Sequence, residues 1–389
     1  MIDFIYHNPA RIAFGRNVKE NLRILLKDAE ISSLLLVYSG DFIKELGIFE
    51  LVRGLCGELD IAFHENGDVV PNPEIGLARE LIDKGKKENI DFILAAGGGS
   101  SIDTAKAVAL GIPYEGDVWD FFEKQIPPER ALPVGVITTL PASGSETSNA
   151  AILTNGPWKI GFEDDQIIPR FAVMNPEYTF GLPPFQTACG IADILSHLLE
   201  RYFSEVPRTD VTDYLIEGAV KALLPNGRRV LEDPRDYDAR AEIQWLASIA
   251  HNNLLDTGRI ADWGSHRIEH ELSAAYGITH GEGMAVVLPA WLRYAAEHRT
   301  DKPAQLAARV FGVDPYIYSE KERCLELAGL LERYFREIGL RTRLSELSIG
   351  KERFEEMAAR ATANGARPVG HYIPLDEERF IAVLERALP

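Results

Sequence analysis

Residues Asp91–Ser101 read D-F-I-L-A-A-G-G-G-S-S, an apolar run that leads directly into a glycine-rich turn. Such a run is typical of a strand buried on both faces of a parallel sheet, and the segment from Ile102 to about Leu110 has helical character. Strand, glycine turn and helix in succession predict a phosphate-binding turn at a helix N-terminus. The turn lacks G-x-G-x-x-G spacing, so a tight turn with a serine as helix cap stays an alternative.

The alternation of strand and helix extends through the first half of the chain. Helix candidates separate further strand candidates at Arg11–Phe14, Leu34–Tyr38, Ile61–His64, Val134–Thr139 and Phe171–Met174. This order predicts a mostly parallel sheet with helices on both faces. The polar loop T-T-L-P-A-S-G-S-E (Thr138–Glu146) follows one of these strands, at the end where open α/β sheets bind ligands. The two loops together predict a binding crevice, although a plain polar loop is the alternative.

The pattern changes after about Thr179, where long amphipathic segments replace the strands. We therefore expect an α/β domain over residues 1–180 and an all-helical domain over residues 181–389. The boundary is predicted near the Leu182-Pro183-Pro184 sequence.

Two residue pairs at helical spacing in the second half indicate a metal site. The stretch Trp263–Gly283, W-G-S-H-R-I-E-H-E-L-S-A-A-Y-G-I-T-H-G-E-G, contains one pair, and the other is the aspartate and histidine of G-I-A-D-I-L-S-H. Side chains four residues apart share one helix face, so one carboxylate and up to four imidazoles could converge on a transition metal. A single such pair is more often a surface hydrogen bond, and the co-occurrence of both favours a metal. The residues concerned are Asp193, His197, His266, His270 and His280, the last expected on a loop after a helix stop at Gly277.

Composition limits the possible partners and the compartment. The formal charge of −18 argues against nucleic acid and anionic membranes as partners. The three cysteines are widely spaced, which indicates a reducing compartment. The N-terminus lacks the features of a signal peptide, and no apolar run approaches the roughly 18 residues of a membrane helix. These features predict a cytoplasmic protein.

Four segments carry a resemblance to a known family. They are N-P-E-Y-T-x-x-L-P-P-x-Q-T-A-x-G-I-A-D-x-x-x-H, H-R-I-E-H-E-L-S-A-x-Y-x-I-x-H-G, G-G-G-S-x-x-D-x-A-K and L-P-A-S-G-S-E. In combination they resemble the iron-containing, group III alcohol dehydrogenases, and within these the NAD(P)H-dependent butanol dehydrogenase and broad-range aldehyde reductase subgroup. The resemblance extends over nearly the whole chain. It implies a Rossmann-like α/β domain and an all-α domain with a dehydroquinate synthase-like fold, an active site between the domains, and a homodimer.

The resemblance also implies roles for individual residues. Fe²⁺ or Zn²⁺ would be bound by Asp193, His197, His266 and His280, and His270 would relay a proton beside the substrate. NADP or NAD would be bound by Gly40, Asn72, Gly97, Gly98, Gly99, Ser100, Asp103, Thr138, Thr139, Ser143, Asn149, Lys159 and Tyr178. The nucleotide preference stays open, because by this resemblance Gly40 favours NADPH, whereas Asp41 and the lack of the glycine-and-serine run of NADPH-preferring members argue against it.

The implied reaction is hydride transfer between NAD(P)H and a small aliphatic aldehyde or primary alcohol, with the metal as Lewis acid. One alternative is a metal-dependent lyase of the same fold. It would need several basic residues near the metal, and Arg267 is the only one in the two ligand motifs. The other alternative is a binding protein without catalytic activity that retains the fold.

Overall fold

The structure is a computed structural model that describes residues 1–388. The chain divides into two compact units. The α/β unit comprises His7–Leu182 and Ala247–Asn252; the helical unit comprises Met1–Tyr6, Pro183–Leu246 and the described residues from Asn253 onward. The principal division thus lies close to the sequence-based boundary. Two short segments, Met1–Tyr6 and Ala247–Asn252, belong to a different unit from the one expected for them.

The α/β unit contains a parallel sheet, as predicted. Its strands, together with those of a separate hairpin, are β1 (Arg11–Phe14), β2 (Ser33–Tyr38), β3 (Ala62–Asn66), β4 (Phe92–Gly97), β5 (Val134–Thr138), β6 (Ala150–Asn155), β7 (Trp158–Glu163) and β8 (Phe171–Met174). Within the described chain the sheet has the order β1-β8-β5-β4-β2-β3, and every neighbouring pair is parallel. Gly97 pairs with Thr138 in this register, so the loops after β4 and β5 begin side by side.

Helices cover both faces of this sheet, because its central strands are apolar on both sides. The helices of the unit are α1 (Val18–Asp28), α2 (Phe42–Glu45), α3 (Ile48–Glu58), α4 (Ile75–Lys87), α5 (Gly99–Gly111) and α6 (Trp119–Lys124). Leu34 and Leu36 of β2 belong to one buried cluster, with α1 and α3. Leu35 and Val37 belong to the other, with α4, α5 and α6.

The antiparallel hairpin of β6 and β7 was not identified from the sequence. A turn at Gly156-Pro157 joins the two strands, and Gly156 has a φ of 58°. Ala151 and Leu153 of β6 are buried in the same cluster as α5. Their burial depends on packing against a distant helix, so the local pattern of six residues in each strand was too weak to indicate it.

The helical unit contains α7 (Pro184–Tyr202), α8 (Asp210–Glu232), most of α9 (Tyr237–Ala250), α10 (Gly264–Tyr276), α11 (His280–His298), α12 (Asp301–Phe311), α13 (Glu320–Glu337), α14 (Phe354–Ala361) and α15 (Glu377–Arg386). Helix α11 packs against α7, α10, α13 and α15 and is buried along most of its length. Among residues 1–388, no helix combines the length and the apolar character that crossing a membrane requires.

The position of His280 corrects one expectation. Gly277 ends α10 in the left-handed conformation, with φ of 67°, as predicted. The connection is only Ile278-Thr279, however, and His280 is the first residue of α11 rather than a loop residue. Thr279 and Glu282 have the spacing of a capping box, although the Thr279 side chain makes no capping hydrogen bond. Burial against α7 and α10 also stabilises this first turn.

Candidate active-site residues

The structure brings together the polar residues that α7, α10 and α11 contribute. The Oδ1 atom of Asp193 lies 3.4 Å from Nε2 of His280 and 3.6 Å from Nδ1 of His197. Potential ligand atoms of Asp193, His266 and His280 all lie within 4.8 Å of one another. His197 lies beside this set, with its ring centroid 4.8 Å from that of His266. The four predicted ligands therefore occupy one region of the helical unit.

Two buried glutamates hold the imidazoles of this set. Oε1 of Glu200 accepts hydrogen bonds from Nδ1 of His266 at 2.9 Å, from the His266 backbone N–H at 2.9 Å and from the Ser265 hydroxyl at 2.6 Å. Glu269 is hydrogen-bonded to Nδ1 of His280 and to the Ser273 hydroxyl. With Nδ1 of each ring engaged, Nε2 of each ring is the nitrogen available to a ligand.

The charges of this region favour a cation. Burial disfavours ionisation of Asp193, but the neighbouring His197 and His280 hold its pKa well below the ordinary value. Burial likewise lowers the pKa of His280, but the carboxylates of Glu269 and Asp193 outweigh it and raise that pKa to about 9. Without a metal, His280 therefore carries a proton, and a divalent ion would compete with that proton for the same nitrogen.

The residues present fit a divalent metal. Nε2 of His266 and Oδ1 of Asp193 are buried, and neither has a hydrogen-bond partner among residues 1–388. Buried polar atoms rarely lack a hydrogen-bond partner, and a bound ion can take the place of that partner. Imidazole nitrogens with one carboxylate suit Fe²⁺ or Zn²⁺. The side chain of His280 is 25% exposed whereas that of Asp193 is 6% exposed, so the set is accessible from the side of His280.

His270 lies one helical turn beyond His266, on that accessible side. Its ring centroid is 5.7 Å from that of His280 and 6.4 Å from that of His266. Its potential ligand atom belongs to a different group, together with those of Glu269 and His280. His270 therefore lies outside the Asp193 group, and its role as a proton relay stays a prediction.

The glycine turn of the α/β unit packs closely against the loop after β5, at the N-terminus of a helix. Helix α5 begins at Gly99, and its first backbone N–H groups lack intrahelical acceptors, as in every helix. A Cβ atom on Gly99 would lie 2.7 Å from Oγ of Ser143, and one on Gly98 would lie 3.1 Å from Cβ of Leu140. The backbone N–H of Thr139 donates to the Gly97 carbonyl at 3.0 Å. The two predicted cofactor loops are therefore in direct contact, which fits a nucleotide diphosphate.

The other predicted cofactor residues also belong to the α/β unit. Asp103 is buried in α5 and accepts hydrogen bonds from the Ser145 hydroxyl and the Ile152 backbone. Asn149 is hydrogen-bonded to Asp165. The remaining candidates are Gly40 after β2, Asn72 in the left-handed conformation, Ser100 in α5, Thr138 at the end of β5, Lys159 in β7 and Tyr178 in the 3₁₀ turn Pro176–Thr179. The structure shows their positions, and their contacts with a cofactor stay a prediction.

Sequence reasoning missed several residues that support these sites. Glu200 and Glu269 each stand three residues after a predicted ligand histidine, a spacing that could have indicated them. Lys106 is fully buried in α5, and its Nζ donates to the Ser145 hydroxyl and to the carbonyls of Ser148 and Ala150. It anchors the chain after the second cofactor loop. No local signal indicated that this lysine would be buried.

This combination of a parallel α/β unit with a phosphate-type turn and a helical unit with a metal-type donor set defines a class of metal-dependent, nucleotide-using oxidoreductases. The model of the iron-containing alcohol dehydrogenase family matches residues 9–176, and the model of the C-terminal region of the Fe-containing alcohol dehydrogenase family matches residues 187–388. The chain therefore belongs to the iron-containing alcohol dehydrogenase family.

Known relatives are similar over their full lengths. The NADH-dependent butanol dehydrogenase A of Clostridium acetobutylicum is 36% identical, with 100% of both chains covered. The NADPH-dependent aldehyde reductase YqhD of Escherichia coli is 32% identical, covering 98% of this chain and 99% of its own. The crystal structure of the NADH-dependent butanol dehydrogenase A of Thermotoga maritima has a TM-score of 0.95 at 32% identity, covering 100% of this chain and 99% of its own.

Proposed function

We propose that this protein is a metal-dependent, NAD(P)H-using alcohol dehydrogenase and aldehyde reductase for small aliphatic aldehydes and primary alcohols of the butanol type. The observation that supports this most directly is the convergence of Asp193, His266 and His280 within 4.8 Å in a chain of this family. The relatives named for butanol dehydrogenase and aldehyde reductase activities support the substrate class.

Asp193, His197, His266 and His280 are the proposed metal ligands. A divalent iron or zinc ion held there would supply Lewis-acid polarisation of the substrate oxygen. Asp193 contributes one negative charge, and Glu200 and Glu269 keep Nε2 of two histidines facing the ion. The exposed edge of His280 leaves the substrate a path to the ion, since catalytic metal sites keep one position open.

His270 is the proposed proton relay. An imidazole has an ordinary pKa near neutrality, so it can pass a proton between the substrate hydroxyl and solvent. It lies on the accessible side of the ligand set, beside His280. In aldehyde reduction it would deliver the proton that the product alcohol requires, and in alcohol oxidation it would accept that proton.

The glycine turn and the loop after β5 are the proposed cofactor site. The diphosphate would accept hydrogen bonds from the backbone N–H groups at the start of α5, where the helix dipole also favours an anion. Thr138, Thr139 and Ser143 contribute polar groups from the adjoining loop. The further proposed contacts are Gly40, Asn72, Asp103, Asn149, Lys159 and Tyr178.

A spectrophotometric assay tests this function. The purified chain is expected to oxidise NADH or NADPH in the presence of butanal, and the ratio of the two rates assigns the nucleotide preference. Activity should disappear after dialysis against a chelator and return when Fe²⁺ or Zn²⁺ is added. Turnover that survived complete metal removal would contradict the Lewis-acid role. Absence of turnover in metal-loaded chain with any short aldehyde would leave the lyase as the better reading.

Replacing Gly99 with alanine is expected to weaken nucleotide binding. The new methyl group would approach Oγ of Ser143 to 2.7 Å, so the side chain of this predicted cofactor residue would have to move. We expect the KM for NADH or NADPH to rise by about tenfold or more, since each tenfold corresponds to about 1.4 kcal/mol. Metal content, measured by mass spectrometry, should not change. Gly54→Ala is the matched control, because that glycine lies within α3 with no atom within 4 Å of the added methyl group. An unchanged KM in Gly99→Ala would exclude this turn as the diphosphate site.

A homodimer in the cytoplasm is the proposed state of the protein. On the helical unit the N-terminus donates to the Pro207 carbonyl and Ile2 donates to the Gly258 carbonyl, which fixes the first residues beside α8. This area exposes large apolar side chains, among them Phe4, Ile5, Val211, Tyr214 and Leu215. Such a patch suits contact with a second copy of the chain, and sedimentation velocity would measure the oligomeric state.

The proposed location is tested separately. The cysteines are all buried free thiols, consistent with a reducing compartment, and cell fractionation would test the location.

The lyase alternative gains no support from Arg267. Burial lowers the pKa of this guanidinium, Glu271 raises it and Arg367 lowers it further. Helix α10 packs against α14, and Glu271 is paired with Arg360 of α14. The phosphorylated, carboxylated substrate of such a lyase would need several cations near the metal.

A further inference from the structure

One carboxylate oxygen of Glu200 accepts three hydrogen bonds. Oε1 accepts from the imidazole Nδ1 and the backbone N–H of His266 and from the Ser265 hydroxyl. The Glu200 side chain is 1% exposed, and that of His266 is 5% exposed. Helices α7 and α10 are thereby joined at His266, whose potential ligand atom lies within 4.8 Å of that of Asp193.

Glu269 is bonded to Nδ1 of His280, as Glu200 is to Nδ1 of His266. It is fully buried, and one carboxylate oxygen is bonded to Nδ1 of His280 while the other accepts from the Ser273 hydroxyl. Helix α10 thus supplies the ligand candidate His266 and also Glu269, the carboxylate that is bonded to the ligand candidate His280. Nε2 of His280 is left 3.4 Å from Oδ1 of Asp193.

We infer that Glu200 and Glu269 are positioning residues that set the tautomer and ring orientation of His266 and His280, so that Nε2 of both is presented to the metal. The inference rests on the proposed metal site and deepens it. Neutral histidine carries its proton on either nitrogen, and a carboxylate at Nδ1 keeps the proton there and leaves Nε2 as the donor. A carboxylate at this place also makes the imidazole a stronger electron donor to a cation.

A second buried carboxylate lies near Glu200. Asp262 is fully buried nearby and accepts the backbone N–H groups of Gly264, His371, Tyr372 and Ile373. Burial and the repulsion of Glu200 raise the pKa of Asp262 to about 7. Two carboxylates this close destabilise each other in a protein interior unless a cation lies near them. Burial also opposes ionisation of Glu200, but the bonds from His266 and Ser265 outweigh it and hold the pKa of this glutamate below its ordinary value.

Glu200→Gln tests the first residue. The amide oxygen can still accept from Nδ1 of His266, but the negative charge is lost. Metal-free full-length protein is titrated with Co²⁺ against a competing chelator, and we expect about a tenfold weaker Kd for Glu200→Gln and about a hundredfold weaker Kd for Glu200→Leu. The visible absorption of bound Co²⁺ should change in Glu200→Leu, because a ring free to change tautomer alters the coordination. Metal-free Glu200→Gln should retain the circular dichroism spectrum of the wild type.

Glu269→Gln and Glu269→Leu are expected to follow the same order in Co²⁺ affinity. Glu217→Gln is the matched control, a buried glutamate of the same unit that is bonded to Tyr202 and Arg309 instead. It should lose stability and keep the Kd for Co²⁺.

The outcomes separate this inference from the function on which it rests. A wild-type chain that binds no Co²⁺ would overturn the proposed metal site itself. Wild-type binding with an unchanged Kd and spectrum in both leucine variants would overturn only the positioning roles. Two Co²⁺ ions per chain, with one lost in Glu269→Leu, would also contradict the inference, because Glu269 would then be a ligand in a group with His270 and His280.

Discussion

The His266→Ala variant will contain no stably bound metal, and its kcat/KM for aldehyde reduction will fall by on the order of 10⁴-fold, a loss typical of removing one member of a catalytic set. Nε2 of His266 is a buried imidazole nitrogen without a hydrogen-bond partner among residues 1–388, so a metal ion is the partner it is expected to have. The fold should persist, because Glu200 keeps its bonds to Ser265 and to the backbone of residue 266. Metal analysis, steady-state kinetics and circular dichroism measure the three expectations.

Two histidine variants serve as comparisons for this result. His298→Ala changes the far end of α11, about 27 Å from His280 at the helical rise of about 1.5 Å per residue, and should retain metal and activity. His270→Ala should retain the metal and lose about 10²–10⁴-fold in kcat, the usual contribution of a general acid or base. If His270→Ala loses the metal while His266→Ala retains it, the assignment of these two histidines is reversed.

Replacing Gly281 with alanine is expected to disrupt the metal site without touching a ligand. A Cβ atom there would lie 2.0 Å from the Cys189 carbonyl oxygen and 2.7 Å from its Cα. Both are backbone atoms of α7, four residues before Asp193, so no side-chain rotation can relieve the overlap. The two helices must separate beside His280, and we expect a loss of about 1–3 kcal/mol or more in the free energy of unfolding. Metal affinity should fall in parallel.

Gly218→Ala is the control for this variant. Gly218 lies within α8 of the same unit, and no atom lies within 4 Å of the added methyl group. This substitution should raise the free energy of unfolding by about 0.4–1 kcal/mol and leave metal affinity unchanged. Urea unfolding of the metal-free proteins and Co²⁺ titration of both variants provide the measurements. A Gly281→Ala protein as stable as wild type, with unchanged affinity, would show that α7 and α11 are not packed this closely.

Much of the architecture could be predicted because it depends on local periodicity. The buried run at Asp91–Ala96 and the glycines after it indicated a parallel strand, a turn and a helix, and the structure confirms the parallel sheet. The hairpin of β6 and β7 could not be found in this way, because each strand has only six residues and the burial of Ala151 and Leu153 depends on packing against a distant helix. The start of α11 at His280 had a local signal in the spacing of Thr279 and Glu282, but two glycines, Gly281 and Gly283, obscured it.

In the candidate site, too, some features depend on local sequence and others only on tertiary contacts. By itself the sequence determined which residues have the chemistry of ligands and phosphate-binding turns, because spacing places Asp193 and His197, and His266 and His270, on single helix faces. It could not determine that Glu200 and Glu269 lie behind two of the imidazoles, or that Gly281 touches the backbone of Cys189. These contacts join residues roughly 65 to 90 positions apart, or depend on ring orientation, and no local pattern encodes them. The tertiary structure alone decided which imidazole nitrogen faces Asp193.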